Sequence, residues 1–117
     1  MSALQGLRVI ELADEKIAFA GKLMGDMGAD VILVEPETGD PSRHYPPFLD
    51  NEAGEHRSLH FWHYNTSKRG ITLNLDKKED QAQFLKLIQS ADILLESQPT
   101  QRLKQLGLDF DDLAQHN

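Results

Sequence analysis

Leu7-Arg8-Val9-Ile10-Glu11-Leu12, answered downstream by Val31-Ile32-Leu33-Val34-Glu35-Pro36, is the stretch on which the fold turns. Each segment is a short aliphatic run of the kind that forms a buried strand. Between them Asp14 is placed to cap a helix. Ile17, Ala20, Met24 and Met27 then recur at three- and four-residue steps and predict one apolar helix face. Gly28 stands where such a helix takes its left-handed stop. Strand, helix and strand within about thirty residues make a βαβ unit, and its crossover makes the two strands parallel.

The second half repeats the plan. Residues 71–75 predict a strand, Asp76 with Glu79 a capping arrangement, and Phe84, Leu85, Ile88 and Ala91 an apolar helical stripe. Ile93-Leu94-Leu95 predicts the next strand. Two short helical pieces follow over 101–106 and 110–115, with Gly107 between them and Asp109 as a cap for the second. Residues 37–69 form a long connector broken by Gly39, Pro41, Pro46, Pro47 and Gly54, with a helical turn or two over 58–64. The expected class is α/β, an open and mainly parallel sheet with flanking helices, in one unit over residues 1–117.

Composition narrows the function. The chain has 117 residues, with 12 Lys and Arg against 19 Asp and Glu for a net charge of −7. A nucleic-acid or anionic-membrane binder wants a basic face, so neither partner is expected. There is no cysteine, which removes disulfides and thiol catalysis. The first residues lack a basic region followed by a long apolar run, so no signal peptide or membrane span is expected and the location reads as cytoplasmic.

In an open parallel sheet, ligands bind beyond the carboxyl ends of the strands. That nominates residues 13–16, 35–38, the turn at Asp76 and residues 96–99. None carries a glycine-rich phosphate fingerprint, which argues against a nicotinamide, flavin or P-loop nucleotide. His44, His56, His60 and His63 cluster in the connector, but without cysteine or a second tight pair they read as loop and surface histidines, and no metal is expected. Glu35 and Glu96 end strands and read as solvated or capping carboxylates. In an acidic chain the basic pair Lys68-Arg69, opening a strand after a long loop, reads as a hold for an anion.

Several blocks together resemble the family III CoA-transferases. Residues 4–12 (Leu-Gln-Gly-Leu-Arg-Val-Ile-Glu-Leu) are similar to that family's opening, and residues 27–36 to its Leu-Gly-Ala-Asp-Val-Ile-Lys-Val-Glu-Pro block. Gly39-Asp40-Pro41-Ser42-Arg43, residues 65–75, Ala91-Asp92-Ile93-Leu94-Leu95-Glu96 and residues 106–113 continue the resemblance in order. It implies a Rossmann-like large domain and transfer of coenzyme A between an acyl-CoA and a carboxylic acid. The resemblance also implies no covalently bound cofactor, with coenzyme A as substrate. The implied chemistry is a mixed anhydride on an aspartate, which in the family lies beyond the point matched by Asn117, so no residue here is assigned as catalytic. The resemblance also implies an interlocked homodimer at full length, and exposed apolar surface on a chain cut off before the family's closing elements. Coenzyme A contacts carry over to Leu73 and Asn74, and to Ser97 and Gln98 in the loop after the next strand. Ser97 and Gln98 stand where the family has Asn and an aromatic residue. Lys68 and Arg69 complete the expected set. The other reading is a non-catalytic α/β domain that binds ligands or partners, or an inactive divergent paralogue.

Overall fold

The computed structural model describes residues 2–117. Four strands form one all-parallel sheet: β1 (Arg8–Leu12), β2 (Asp30–Glu35), β3 (Lys68–Thr72) and β4 (Ile93–Leu95), in the order β3-β2-β1-β4. Helix α1 (Glu15–Asp26) links β1 to β2. The connector holds a 3-10 turn at Pro41–His44 and the short helix α2 (Leu59–Tyr64). Helix α3 (Lys78–Gln89) returns the chain from β3 to β4, and α4 (Thr100–Gln105) and α5 (Phe110–Ala114) follow. This is the open α/β class that the alternation of elements predicts.

Alternation along the strands sorts the core into two layers. Ile10, Leu12, Ile32 and Val34 face Phe84 and Ile88 of α3, with Leu103, Leu108 and Leu113 closing that side. Phe84 is wholly buried, and a side chain of that size contributes roughly 1.5–3 kcal/mol by leaving water. Val9 and Val31 project to the α1 side, where Ala29, Met24 and Leu4 meet them.

Helix α1 begins where expected: the Asp14 carboxylate accepts the Lys16 backbone N–H at 3.0 Å. It ends where expected, with Gly28 at φ +104° and the Ala29 N–H donated to the Met24 carbonyl at 3.0 Å, the geometry of a left-handed stop. Its buried face differs from expectation. Ala18 and Gly21 are buried, while Ala20 and Met27 are exposed. The periodicity of large apolar residues misleads because the helix lies too close to the sheet for large side chains. A methyl group at Gly21 would fall 1.8 Å from a Glu11 carboxylate oxygen, and one at Gly25 would fall 2.7 Å from the Ser67 carbonyl. Phe19, Leu23 and Met27 are left about half exposed, and Phe110 is 82% exposed.

Two boundaries also move. Strand β3 begins at Lys68, not residue 71, because Lys68 and Arg69 pair in register with Val31 and Ile32. Polar residues are tolerated there because β3 is an edge strand. The cap position of α3 is Lys77 without a side-chain bond, not Asp76; the Asp76 carboxylate instead accepts from Arg102 at 3.0 Å. At α5 the expected cap is present as a full capping box between Asp109 and Asp112.

Glu35 is not solvated. It is 7% exposed and takes a two-pronged bond from Arg43, both contacts at 2.7 Å. Arg43 also lies 4.0 Å over the Phe61 ring, so one side chain ties the connector to β2 and to α2. Burial pushes the Glu35 carboxyl up, but Arg43 and the Asp40 N–H pull harder, and it is held below its ordinary value of about 4.5. A carboxyl lowered in this way contributes stability above its unfolded pKa and loses it as pH falls through the folded one. The stability difference between the wild-type chain and Glu35→Gln is therefore expected to be constant above about pH 6 and to shrink below about pH 4.5. Urea titrations over that range check this, and a difference that grows on acidification contradicts it.

Candidate functional site

The chain steps from β1 outward to β2 and β3, and α3 then carries it back across to β4 on the other side of β1. The loops after β1 and β4 therefore diverge, and the strand order switches beside β1. In this topology a ligand crevice opens at that switch, beyond the carboxyl ends. A cavity of about 180 Å³ lies there. Leu12, Val34 and Leu73 supply its apolar lining, and Ala13, Glu35, Asn74, Asp76, Gln98 and Arg102 its more polar wall. Each of the four segments nominated from the strand ends contributes at least one residue to it, or flanks it directly.

Local hydrogen bonding explains how the wall is held. The Leu73 N–H is donated to the Glu35 carbonyl at 2.9 Å, which extends the β2–β3 pairing by one residue. The Asp80 carboxylate receives the Asn74 N–H at 2.7 Å, and the Asn74 side-chain oxygen receives the Asp76 N–H at 3.0 Å. The turn is thus fixed from both sides. In the β4 loop the Glu96 carboxylate receives the Gln98 N–H at 2.9 Å. Ser97 has a buried hydroxyl oxygen with no hydrogen-bond partner among the described residues. Arg102 is a cation that the sequence reading missed. It bonds Asp76 with one nitrogen and remains 40% exposed, so further guanidinium donors are free for a ligand. Its signal was weak: one Arg in a polar helix looks like surface.

Leu73, Asn74 and Gln98 meet in this cavity, with Ser97 adjacent to Gln98 in the chain. Lys68 and Arg69 do not line it. They open β3, at the amino end of the sheet. The Lys68 side chain is 1% exposed and faces Glu11, 0% exposed, at 2.9 Å. Its ammonium donates to Glu11, to the Ala18 carbonyl and to the Asn65 side chain at 3.0, 3.0 and 2.7 Å. An ammonium has three protons, so none is left for an outside anion. Burial raises the Glu11 carboxyl and lowers the Lys68 ammonium, in each case against the pull of the partner. Arg69 is exposed, and its guanidinium takes both oxygens of Asp30 at 2.9 and 2.8 Å. The anion hold expected at this pair is occupied by the protein's own carboxylates.

A larger hollow, about 390 Å³, lies elsewhere, between β4, α3 and α5 beside Phe110. Its charged lining groups are Asp92 and Glu96, so it offers a phosphate no cation.

The family model described as CoA-transferase family III matches residues 4–117. A succinate–glutarate CoA-transferase of Agrobacterium fabrum is 41% identical over 114 residues, covering 94% of this chain and 28% of that protein. A succinyl-CoA:mesaconate CoA-transferase of Haloarcula marismortui is 35% identical, covering 100% of this chain and 30% of that one. The crystal structure of a CAIB/BAIF family protein from Brucella suis superposes with a TM-score of 0.87 at 33% identity, over 99% of this chain and 31% of that chain. The chain thus spans about three-tenths of the length of these relatives. Among the described residues no helix is long and apolar enough to cross a membrane.

Proposed function

The chain belongs to CoA-transferase family III, and from that premise we propose that it forms the coenzyme-A-holding part of an enzyme that moves coenzyme A between an acyl-CoA and a carboxylic acid. The observation that carries the reading is the meeting of Asn74, Gln98 and Arg102 at the switch in strand order. Leu73 offers apolar contact, Asn74, Ser97 and Gln98 offer hydrogen bonds, and Arg102 supplies the cation for a phosphate. Arg102 takes the role that the sequence reading gave to Lys68 and Arg69.

The transfer itself uses an aspartate outside residues 1–117. Its carboxylate attacks the thioester carbonyl, the carbon–sulfur bond breaks, and coenzyme A leaves as the thiolate while an acyl-aspartyl anhydride forms. The thiolate then attacks the anhydride at the aspartyl carbonyl, releasing the first acid. The second acid enters by the reverse of these steps. The part of residues 1–117 is to hold coenzyme A, including its thiolate form, close by, which keeps its effective concentration high. The working enzyme is an interlocked homodimer in the cytoplasm. Its substrates are an acyl-CoA and a carboxylic acid.

Calorimetric titration of coenzyme A into the chain tests the binding role. Arg102→Gln is expected to weaken binding on the order of tenfold at low salt, since a charge-assisted phosphate contact is lost. Equal affinity in both proteins would remove Arg102 from the site.

A further inference from the structure

We infer that the mouth of the crevice at the strand switch exchanges ions: Glu37 and Asp76 occupy the cations Lys77 and Arg102 until a phosphate of the ligand displaces them, so that these two carboxylates hold coenzyme A affinity down. The inference rests on the coenzyme A reading of the same crevice and adds to it a second cation and two built-in competitors.

Two ion pairs stand at the rim among the described residues. Asp76 lines the crevice and takes one guanidinium nitrogen of Arg102 at 3.0 Å. Lys77 follows Asp76, and its ammonium lies 3.1 Å from a Glu37 oxygen. Glu37 in turn follows Pro36, another lining residue. The Lys77–Glu37 pair therefore joins the loop after β2 to the turn after β3, between residues 40 apart in the chain. The backbone of that turn is fixed separately, by the Lys77 N–H donated to the Asn74 carbonyl at 2.9 Å. An exchange of partners therefore asks only side chains to move.

All four side chains are open to water, from 40% for Arg102 to 64% for Asp76. Ion pairs this exposed are weakly held. A phosphate brings more charge and more acceptor oxygens than one carboxylate, so it competes well for the same donors. The bond to Glu37, with the charges of Glu37, Asp80 and Glu79, lifts the Lys77 ammonium above its ordinary pKa, which keeps it a cation throughout. Other carboxylates beside the crevice are committed differently. Glu35 is buried and takes Arg43 with both oxygens. Asp80 and Glu96 receive the backbone N–H groups of Asn74 and Gln98. In a chain of net charge −7, a polyanionic ligand depends on cations released at the point of contact. Exchange also eases departure, because the carboxylates return to Lys77 and Arg102 as the phosphate leaves.

Calorimetric titration of coenzyme A into the wild-type chain, Glu37→Gln, Asp76→Asn, Lys77→Gln and Arg102→Gln tests this. The two carboxylate variants keep the shape of the side chain at exposed positions, so the fold is kept, and amide spectra check that it is. Each is expected to bind coenzyme A about threefold more tightly than the wild-type chain at low salt, and the two together about tenfold. Lys77→Gln is expected to weaken binding about threefold. The gain from removing the carboxylates is expected to vanish at about 0.5 M salt, where the charges are screened. Affinity unchanged or lowered in either carboxylate variant overturns the exchange, and so does a gain that survives high salt. If Arg102→Gln still weakens binding in that case, the crevice holds coenzyme A without exchange and this inference alone has failed. If coenzyme A binds none of the proteins, or binds all of them equally, the coenzyme A reading has failed with it.

Discussion

Lys68→Met is expected to cost about 3–5 kcal/mol of folding free energy, a large share of the roughly 5–15 kcal/mol that holds an ordinary domain together. The loss does not come from the ion pair as a source of stability. Removing water from two charges costs about as much as their attraction returns. It comes from leaving Glu11 ionised, wholly buried and alone beneath α1. The same argument fixes two further outcomes. In the variant, the Glu11 carboxyl is raised further above its unfolded value. A carboxyl raised in the folded state contributes stability that is complete below the unfolded pKa and lost as pH rises through the folded one. The variant therefore recovers relative to the wild-type chain as pH is lowered from about 8 toward 5. The double variant Glu11→Leu/Lys68→Met removes both charges and is expected to lie within about 1 kcal/mol of the wild-type chain. Urea unfolding of the three proteins checks this. A single variant as stable as the double one would show that Glu11 is not held as the structure places it.

Gly21→Ala is the second large effect, and its sign is the point of interest. Helix propensity alone says the change stabilises by about 1 kcal/mol. Packing says the opposite. The new methyl carbon would sit 1.8 Å from a Glu11 oxygen, 2.8 Å from its carboxyl carbon and 3.1 Å from the Lys68 side chain. Neither partner can withdraw without breaking a buried pair. A net loss on the order of 2–4 kcal/mol is expected, from overpacking and a disrupted pair together. In the background Glu11→Ala/Lys68→Met the obstacle is gone, and Gly21→Ala is expected to become neutral or favourable. That reversal is a coupling between neighbouring sites that a double-mutant cycle measures directly. A loss of equal size in both backgrounds would mean that Glu11 is not what excludes a side chain from Gly21.

Local signals were readable because their cause is local. Asp14 and Asp109 cap the helices that follow them, and Gly28 takes the positive φ that ends α1. The alternation of strands and helices was enough for the parallel sheet and for the segments at its carboxyl ends. What could not be read depends on partners far along the chain. Glu11 and Lys68 are 57 residues apart, and no pattern around either announces the other. Lys68 and Arg69 looked like free charge because their carboxylates, Glu11 and Asp30, come from other strands. The buried face of α1 was misjudged for a related reason. Counting large apolar residues finds Met27, but close approach to Glu11, Lys68 and Ser67 selects Gly21 and Gly25. In the candidate site, Leu73, Asn74 and Gln98 came from the family resemblance and from the strand ends. Arg102 came only from the structure, because α4 folds its guanidinium back over Asp76.

Chemical-shift mapping of a coenzyme A titration tests most directly whether residues 1–117 hold coenzyme A at the switch in strand order. Saturable shifts are expected at Leu73, Asn74, Ser97, Gln98 and Arg102, with Arg69 at the opposite end of β3 unmoved. Saturable shifts centred on Arg69 and Arg8, or no saturable shift at the carboxyl ends of the strands, would contradict it.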